Sequence, residues 1–498
     1  MLDGKKLRQA VVVIHGIGEQ KPMTTLRKFT AAAVSPDNPE PRFTSHPDKY
    51  SNSLELFTLR APPRSAGNEI PIADFFECHW AHRMRDTKFR HVGYWFWRLL
   101  FTPPQKNSRV YAIYWIVLII IFGLGAGVLY AAIVTPWDKW LKLTGLLSSG
   151  VVTTLLGGFL WTYVNGYVGD AARYLTPHPD NLTERAAIRR QAISLLHRLH
   201  RQGRYQRIIV VGHSLGSVIA YDVVSRLWDQ YRQNQRENLT EVEQAILEEI
   251  EILGAKLRLA GEALDEAKSK RGGAPKSEKE VVNLRLLAVE SAASEYRKSQ
   301  IQLWEEQKRA GNPWLITDLV TLGSPLAHAD FLLRAAGDRG RGLKEGLLDR
   351  EYPRCPPLND NWDRKKEQHY PAKVEDAIAY RPIGQQSRVL IPSALFALVR
   401  WTNLYFPGDL VGGPLAPEFG YGILDFEARR HGTGDLKDRL ASWSPLCHTK
   451  YWAVLGRDSE VPGTATQLLR QTLALETKET QKLLDRVSDI QRTRSAET

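Results

Sequence analysis

The residues most able to do chemistry are Gly212-His213-Ser214-Leu215-Gly216, directly after the apolar run Arg207–Val211 (RIIVV) and directly before a helical pattern that starts near Leu215 and reaches about Tyr231. A serine nucleophile needs a sharp strand-to-helix turn that projects its Oγ clear of a sheet. Glycines two residues before and after relieve the crowding such a turn creates. A second glycine turn, His15-Gly16-Ile17-Gly18, follows the valine-rich run Gln9–Ile14. A serine nucleophile also needs a base, and the base needs an orienting carboxylate. Asp409, in PGDLV, sits on a loop just past the strand pattern Phe396–Leu404. Asp425 competes with it, and Asp318 lies inside the strand pattern Ile316–Leu322. His448, in SPLCHTKYW, is the candidate base; His431 is its rival, and His328 is a further candidate earlier in the chain.

The segments VVVIHGIGE, VVGHSLGS, LVTLGSPLAHADFL, NLYFPGDLV and CHTKYW together resemble the lipase-like branch of the α/β-hydrolase superfamily. The resemblance covers four stretches, about 8–20, 204–232, 314–332 and 396–455. It implies an α/β-hydrolase fold, a mostly parallel sheet flanked by helices, and hydrolysis of carboxylic esters through an acyl-enzyme, with no metal or organic cofactor. The order of the triad in such folds is Ser, then acid, then His. On that order Ser214 is the nucleophile, Asp409 the acid and His448 the base, with Asp425 and His431 left as rivals; His328 precedes Asp409. The oxyanion hole implied is the backbone N–H of Ile17 and that of Leu215, the latter at a helix N-terminus. His15, Gly16, Gly212, His213 and Gly216 then support the two loops. Acyl transfer to an alcohol, or a soluble ester substrate, would use the same triad, and a non-catalytic scaffold on this fold is the alternative of a different class.

Several elements must hold these residues. Residues 1–105 and 169–232 carry the first part of the fold, 312–460 the second, and 461–498 a terminal helix (Ala465–Ile490) with a short tail. Two segments interrupt them. Val110–Val134 contains no charge, and Leu143–Val164 is nearly as apolar; each exceeds or matches the roughly 20 residues a helix needs to cross a bilayer. They are expected to form a transmembrane hairpin over 106–168. Arg83, Arg85, Lys88, Arg90, Arg98, Lys106 and Arg109 before it, and Arg173, Arg185, Arg189 and Arg190 after it, would place both ends and the catalytic segments in the cytoplasm. That expectation makes the chain an integral, two-span membrane protein and its natural substrate a lipid or lipid-linked ester. The second segment, 233–311, repeats apolar residues at steps of three and four either side of RGGAPKS and is expected to form an antiparallel coiled-coil arm, available to a protein partner or to self-association.

The net charge of +12 suits a membrane surface or a solvated basic exterior. No zinc-ligand spacing or RNA-binding motif accompanies it, so nucleic acid is not an expected partner. Cys78, Cys355 and Cys447 lie far apart, with no disulfide framework or metal spacing. MLDGKKLRQAVVVIHG runs straight into a short strand, so no secretory signal is expected.

Overall fold

A computed structural model describes residues 7–16, 21–34, 43–51, 55–61, 71–83, 101–104, 111, 114–115, 118–119, 174, 179–232, 241–269, 276–336, 342–357, 362–363, 368–369, 378–380, 389–431, 433–453 and 461–497. Its centre is an eight-stranded sheet: β1 (Arg8–Ile14), β2 (Thr44–Pro47), β3 (Phe57–Ala61), β4 (Ile72–Cys78), β5 (Arg207–His213), β6 (Ile316–Leu322), β7 (Arg400–Tyr405) and β8 (Leu424–Glu427). The strand order is β8-β7-β6-β5-β1-β4-β3-β2. The six strands from β8 to β4 run parallel, and β3 and β2 close the edge antiparallel. β4, β5 and β6 are buried along their whole length, which is why they read as unbroken apolar runs rather than alternating ones.

Helices cover both faces. α1 (Thr24–Val34) packs with Val11, Val13, Phe75 and Ile209 on one side. α2 (Pro179–Arg201) and α3 (Leu215–Tyr231) pack on the other, where Ile188, Leu196, Ile219 and Leu227 meet Val12, Val210 and Ile316. The protein is thus an α/β structure with a mostly parallel sheet flanked by helices.

α3 approaches β1 closely at its first turn. A Cβ on Gly216 would run into the carbonyl oxygens of Ile14 and His15, and one on Gly212 into the backbone of Ser217. The β1 backbone that Gly216 meets cannot yield, because β1 lies between two hydrogen-bonded strands. Gly216→Ala should therefore destabilise the fold by about 3 kcal/mol, the upper end for overpacking a core. Denaturant midpoints check this, and an unchanged midpoint would refute the close approach.

Between α3 and β6 run two long helices, α4 (Glu241–Ser269) and α5 (Lys276–Arg309). Leu247, Ile250, Leu257 and Leu264 of α4 join Val289, Tyr296, Leu303 and Trp304 of α5 in the same apolar core as α3. Tyr296 Oη and Gln300 Nε2 donate to Phe396 O, each at 2.7 Å. The inner stripe of this helix pair is therefore covered by the chain's own core.

Three expectations are corrected. Phe396–Leu404 is not one strand: Pro392–Ala397 is a 3-10 turn and the strand begins at Arg400, where parallel pairing with β6 starts. Ala465–Ile490 is not one helix. It divides into α7 (Ala465–Leu473) and α8 (Lys478–Glu497) at Ala474, whose φ of 46° is left-handed. The third is the membrane hairpin. No helix among the described residues is long and apolar enough to cross a membrane. α4 and α5 have the length, but Glu, Lys and Arg recur along them. Of the expected first span only Tyr111, Tyr114, Trp115, Leu118 and Ile119 are described; the rest of it, and all of Leu143–Val164, lie outside the described residues. Tyr114 meets the ring of Phe331 edge-on at 6.4 Å, on α6 (Ala329–Ala336), and Leu118 is buried, so these two pack on protein, while Trp115 and Ile119 are exposed. The integral two-span membrane partner, the multi-pass localisation and the cytoplasm-facing orientation derived from it do not stand.

Candidate active site

The parallel strands bring their C-terminal ends to one edge of the sheet, where loops carry the chemistry in open α/β folds. β1 ends there in His15-Gly16, β5 in Ser214, β6 in Gly323-Ser324 and β7 in Pro407-Gly408-Asp409. Ser214 has φ 53° and ψ −131°, a conformation a non-glycine residue holds only under constraint. Its N–H donates to Leu322 O at 2.9 Å, and Ser217 N–H donates to its carbonyl at 2.9 Å. The Ser214 side chain makes no capping bond to its own helix, so the hydroxyl is not held by α3. Ser217 Oγ lies 2.6 Å from Ser324 Oγ and braces the turn from below.

His448 stands on a short 3-10 turn, Pro445–Thr449, capped by Ser444. Its Nδ1 lies 3.0 Å from Asp409 Oδ1 and 2.9 Å from Oδ2. Nδ1–H therefore donates to the carboxylate, and Nε2 is left as the basic atom. Asp409 is fully saturated: Val411 N–H and Gly412 N–H donate to Oδ1 at 2.9 and 3.0 Å, and Tyr451 Oη donates to Oδ2 at 2.7 Å. Burial acts to raise the Asp409 pKa, but hydrogen bonds from His448, Tyr451 and Gly412, with the charge of His448, bring it down to about 2. Gly323, at φ 55°, closes the group from the β6 side. A Cβ there would stand 2.8 Å from Asp409 Oδ2 and 3.0 Å from His448 Nδ1.

Tyr451 and Gly323 belong to this constellation and were not singled out from the sequence. Their signals are present in it: a glycine directly after the apolar strand LVTL, and a tyrosine three residues after His448, one turn onward. Tyr451→Phe leaves Asp409 Oδ2 with one donor fewer in a buried place. It should lower stability by about 2 kcal/mol, as expected for a charge-assisted hydrogen bond. Thermal unfolding measures this, and an unchanged melting temperature would contradict the bond.

The two other histidines of the motifs are structural. His213 Nε2–H donates to His448 O at 2.9 Å, and its ring packs against His448, Tyr451 and Trp452. His15 is fully buried; Nδ1–H donates to Gly16 O at 2.8 Å, Nε2 accepts from Trp80 N–H at 3.3 Å, and the ring stacks on Trp80. Burial pushes both pKa values down to about 3, so both rings are neutral braces. A Cβ on Gly16 would lie 2.8 Å from Ser214 Cβ, which puts the β1 loop directly beside the serine.

Leu215 is the first residue of α3, where a backbone N–H has no partner within the helix. Ile17, the other expected oxyanion donor, lies outside the described residues. Asp425 is not near His448 in its bonding. It accepts from Leu415 N–H, Ala416 N–H and Asn403 Nδ2, and burial raises its pKa to about 6 against those bonds. Asp318 is held in ion pairs with Arg207 and Arg400. The His431 N–H donates to Asp438, and His328 Nε2–H donates to Leu410 O. Among the described residues, Asp318, Asp425 and His431 make their bonds to groups other than Asp409 and Ser214. No family model, no curated protein and no solved structure matches the chain.

Proposed function

We propose that the chain is a serine hydrolase of the α/β-hydrolase type, with the segment 233–311 as an insertion, and that it cleaves carboxylic esters. The observation that carries this reading is the pairing of His448 Nδ1 with both oxygens of Asp409, beside a serine held at positive φ on a strand-to-helix turn. In the reaction, His448 Nε2 takes the hydroxyl proton as Ser214 Oγ attacks the ester carbonyl. Leu215 N–H stabilises the oxyanion, and Ile17 N–H is the second donor the resemblance implies. The alcohol leaves with the proton returned by His448. Water then attacks the acyl-enzyme with His448 again as base, and the acid is released. Asp409 keeps the imidazole in the Nδ1–H tautomer throughout.

A fluorophosphonate probe tests the nucleophile directly, because it traps an activated serine covalently. The expected result is one labelled peptide containing Ser214 in the wild type and none in Ser214→Ala. Labelling that persists in the variant, or never occurs in the wild type, would remove the assignment. With a chromogenic ester, free acid should appear at the rate of the alcohol.

A further inference from the structure

The other end of the sheet carries a second feature. A cleft of about 570 Å³ opens between α5, the first residues of β7 and β8, and α8, lined among others by Ala293, Arg297, Ile301, Arg400, Leu424 and Arg486. Because Arg400 and Leu424 begin their strands, this cleft is remote from Ser214, which follows the C-terminal end of β5. Its volume is in the range of small-molecule sites.

Its charges do not cancel: Arg297, Lys298, Arg400 and Arg486 line it against Glu290 and Glu305. Arg207 and Arg400 share a single carboxylate, Asp318, at 2.7 and 2.8 Å. Arg486 is matched by Glu305, at 2.6 and 2.9 Å. Arg297 makes no ion pair among the described residues: its guanidinium donates to Trp401 O and Thr402 Oγ1, both at 2.9 Å and both uncharged. Burial, with the charge of Arg400, pushes its pKa down to about 10. Arg400 Nε is itself buried with no hydrogen-bond partner among the described residues. Three guanidinium groups thus stand around one carboxylate. A half-buried charge of this kind is costly unless an anion completes it, and a guanidinium fork matches carboxylate and phosphate oxygens. Beside these groups, Ala293, Ile301 and Leu424 give the cleft an apolar wall.

We propose that this cleft binds a small organic anion, a carboxylate or phosphate head on an apolar body, with Arg297 as the anchor for the head. The site is independent of the ester hydrolase reading.

Calorimetric titration of the full chain with octanoate and with octyl phosphate tests it, using 1-octanol as the uncharged control. At least one anion should bind saturably, and octanol at least about 10-fold more weakly. The stronger of the two anions names the head group. Arg297→Met should weaken binding at least about 10-fold. Because Arg297 also ties α5 to β7, a second variant is needed in case that one fails to fold. Ser294→Trp starts from an exposed position on the cleft wall and should block binding by filling the space, with every charge retained. Saturable binding of neither anion, equal binding of octanol, or undiminished binding in Ser294→Trp would each overturn the proposal. The last result would move the bound anion to another site, the Ser214 side included.

Discussion

Ser214→Ala should lower kcat/KM for a carboxylic ester by roughly 10⁴-fold or more while the protein stays folded, the size of loss seen when a covalent nucleophile is removed. The loss is large because no neighbour can substitute. Ser217 Oγ faces Ser324 and the Ser214 carbonyl, on the far side of the turn. Ser324 Oγ accepts from Leu326 N–H as the cap of its own turn. The fold should survive because Ser214 Oγ makes no capping bond that alanine would forfeit. A further measurement separates the chemical role from the backbone one. At φ 53° any side chain with a Cβ is strained, so Ser214→Gly, equally inactive, should be more stable than Ser214→Ala by about 1 kcal/mol. Comparable hydrolysis by Ser214→Ala and wild type would end the nucleophile assignment. A glycine variant no more stable than the alanine one would end the claim of strain.

The parts of this molecule that were legible in the sequence are those where local chemistry decides the structure. β1, β5 and β6 are buried on both faces, so their apolar runs could hardly be anything else, and Gly212 and Gly216 mark the turn because no larger residue fits. α3 began and ended where its pattern did. Other features depended on tertiary partners. Asp409 follows β7 on a loop and is buried, whereas Asp425 lies inside β8 and is half-buried; the placement of His448 against Asp409 is what distinguishes them chemically. Tyr451 gains its role from an oxygen that lies 42 residues away in sequence. Apolar length alone misassigned the first expected membrane span. Hydropathy measures what a segment avoids, and Tyr114 and Leu118 satisfy it against protein. The strand pattern Phe396–Leu404 failed for a related reason: its first residues are fully buried, but as a 3-10 turn under α5 whose Phe396 carbonyl accepts from Tyr296.

Asp409→Asn should reduce kcat by about 10³- to 10⁴-fold without removing the nucleophile, because it alters which nitrogen of His448 carries the proton. In the wild type, Asp409 accepts from four donors: two backbone N–H groups on Oδ1, and the Tyr451 hydroxyl and His448 Nδ1–H on its oxygens. An asparagine amide nitrogen cannot accept. Turned toward Val411 and Gly412 it would set donor against donor. Turned toward His448 it favours the Nε2–H tautomer and removes the lone pair that should take the proton from Ser214. The same substitution should change the response to acid. The folded-state pKa of Asp409 is about 2, below the ordinary carboxylate value of about 3.9, so its ionised form stabilises the fold. That contribution is complete above about pH 4 and is lost as pH falls toward 2; integrated, it amounts to roughly 2 kcal/mol. Denaturant unfolding at pH 5 and at pH 3 reads this out. Asp409→Asn should be clearly less stable than wild type at pH 5, and the gap should narrow at pH 3, where only the wild type is losing the bond. A gap of equal size at both values would show that Asp409 is not the low-pKa partner of His448. Asp425→Asn supplies the contrast: its carboxylate serves Leu415, Ala416 and Asn403, so it should cost stability while leaving the His448 tautomer, and the pH dependence of kcat, as they are.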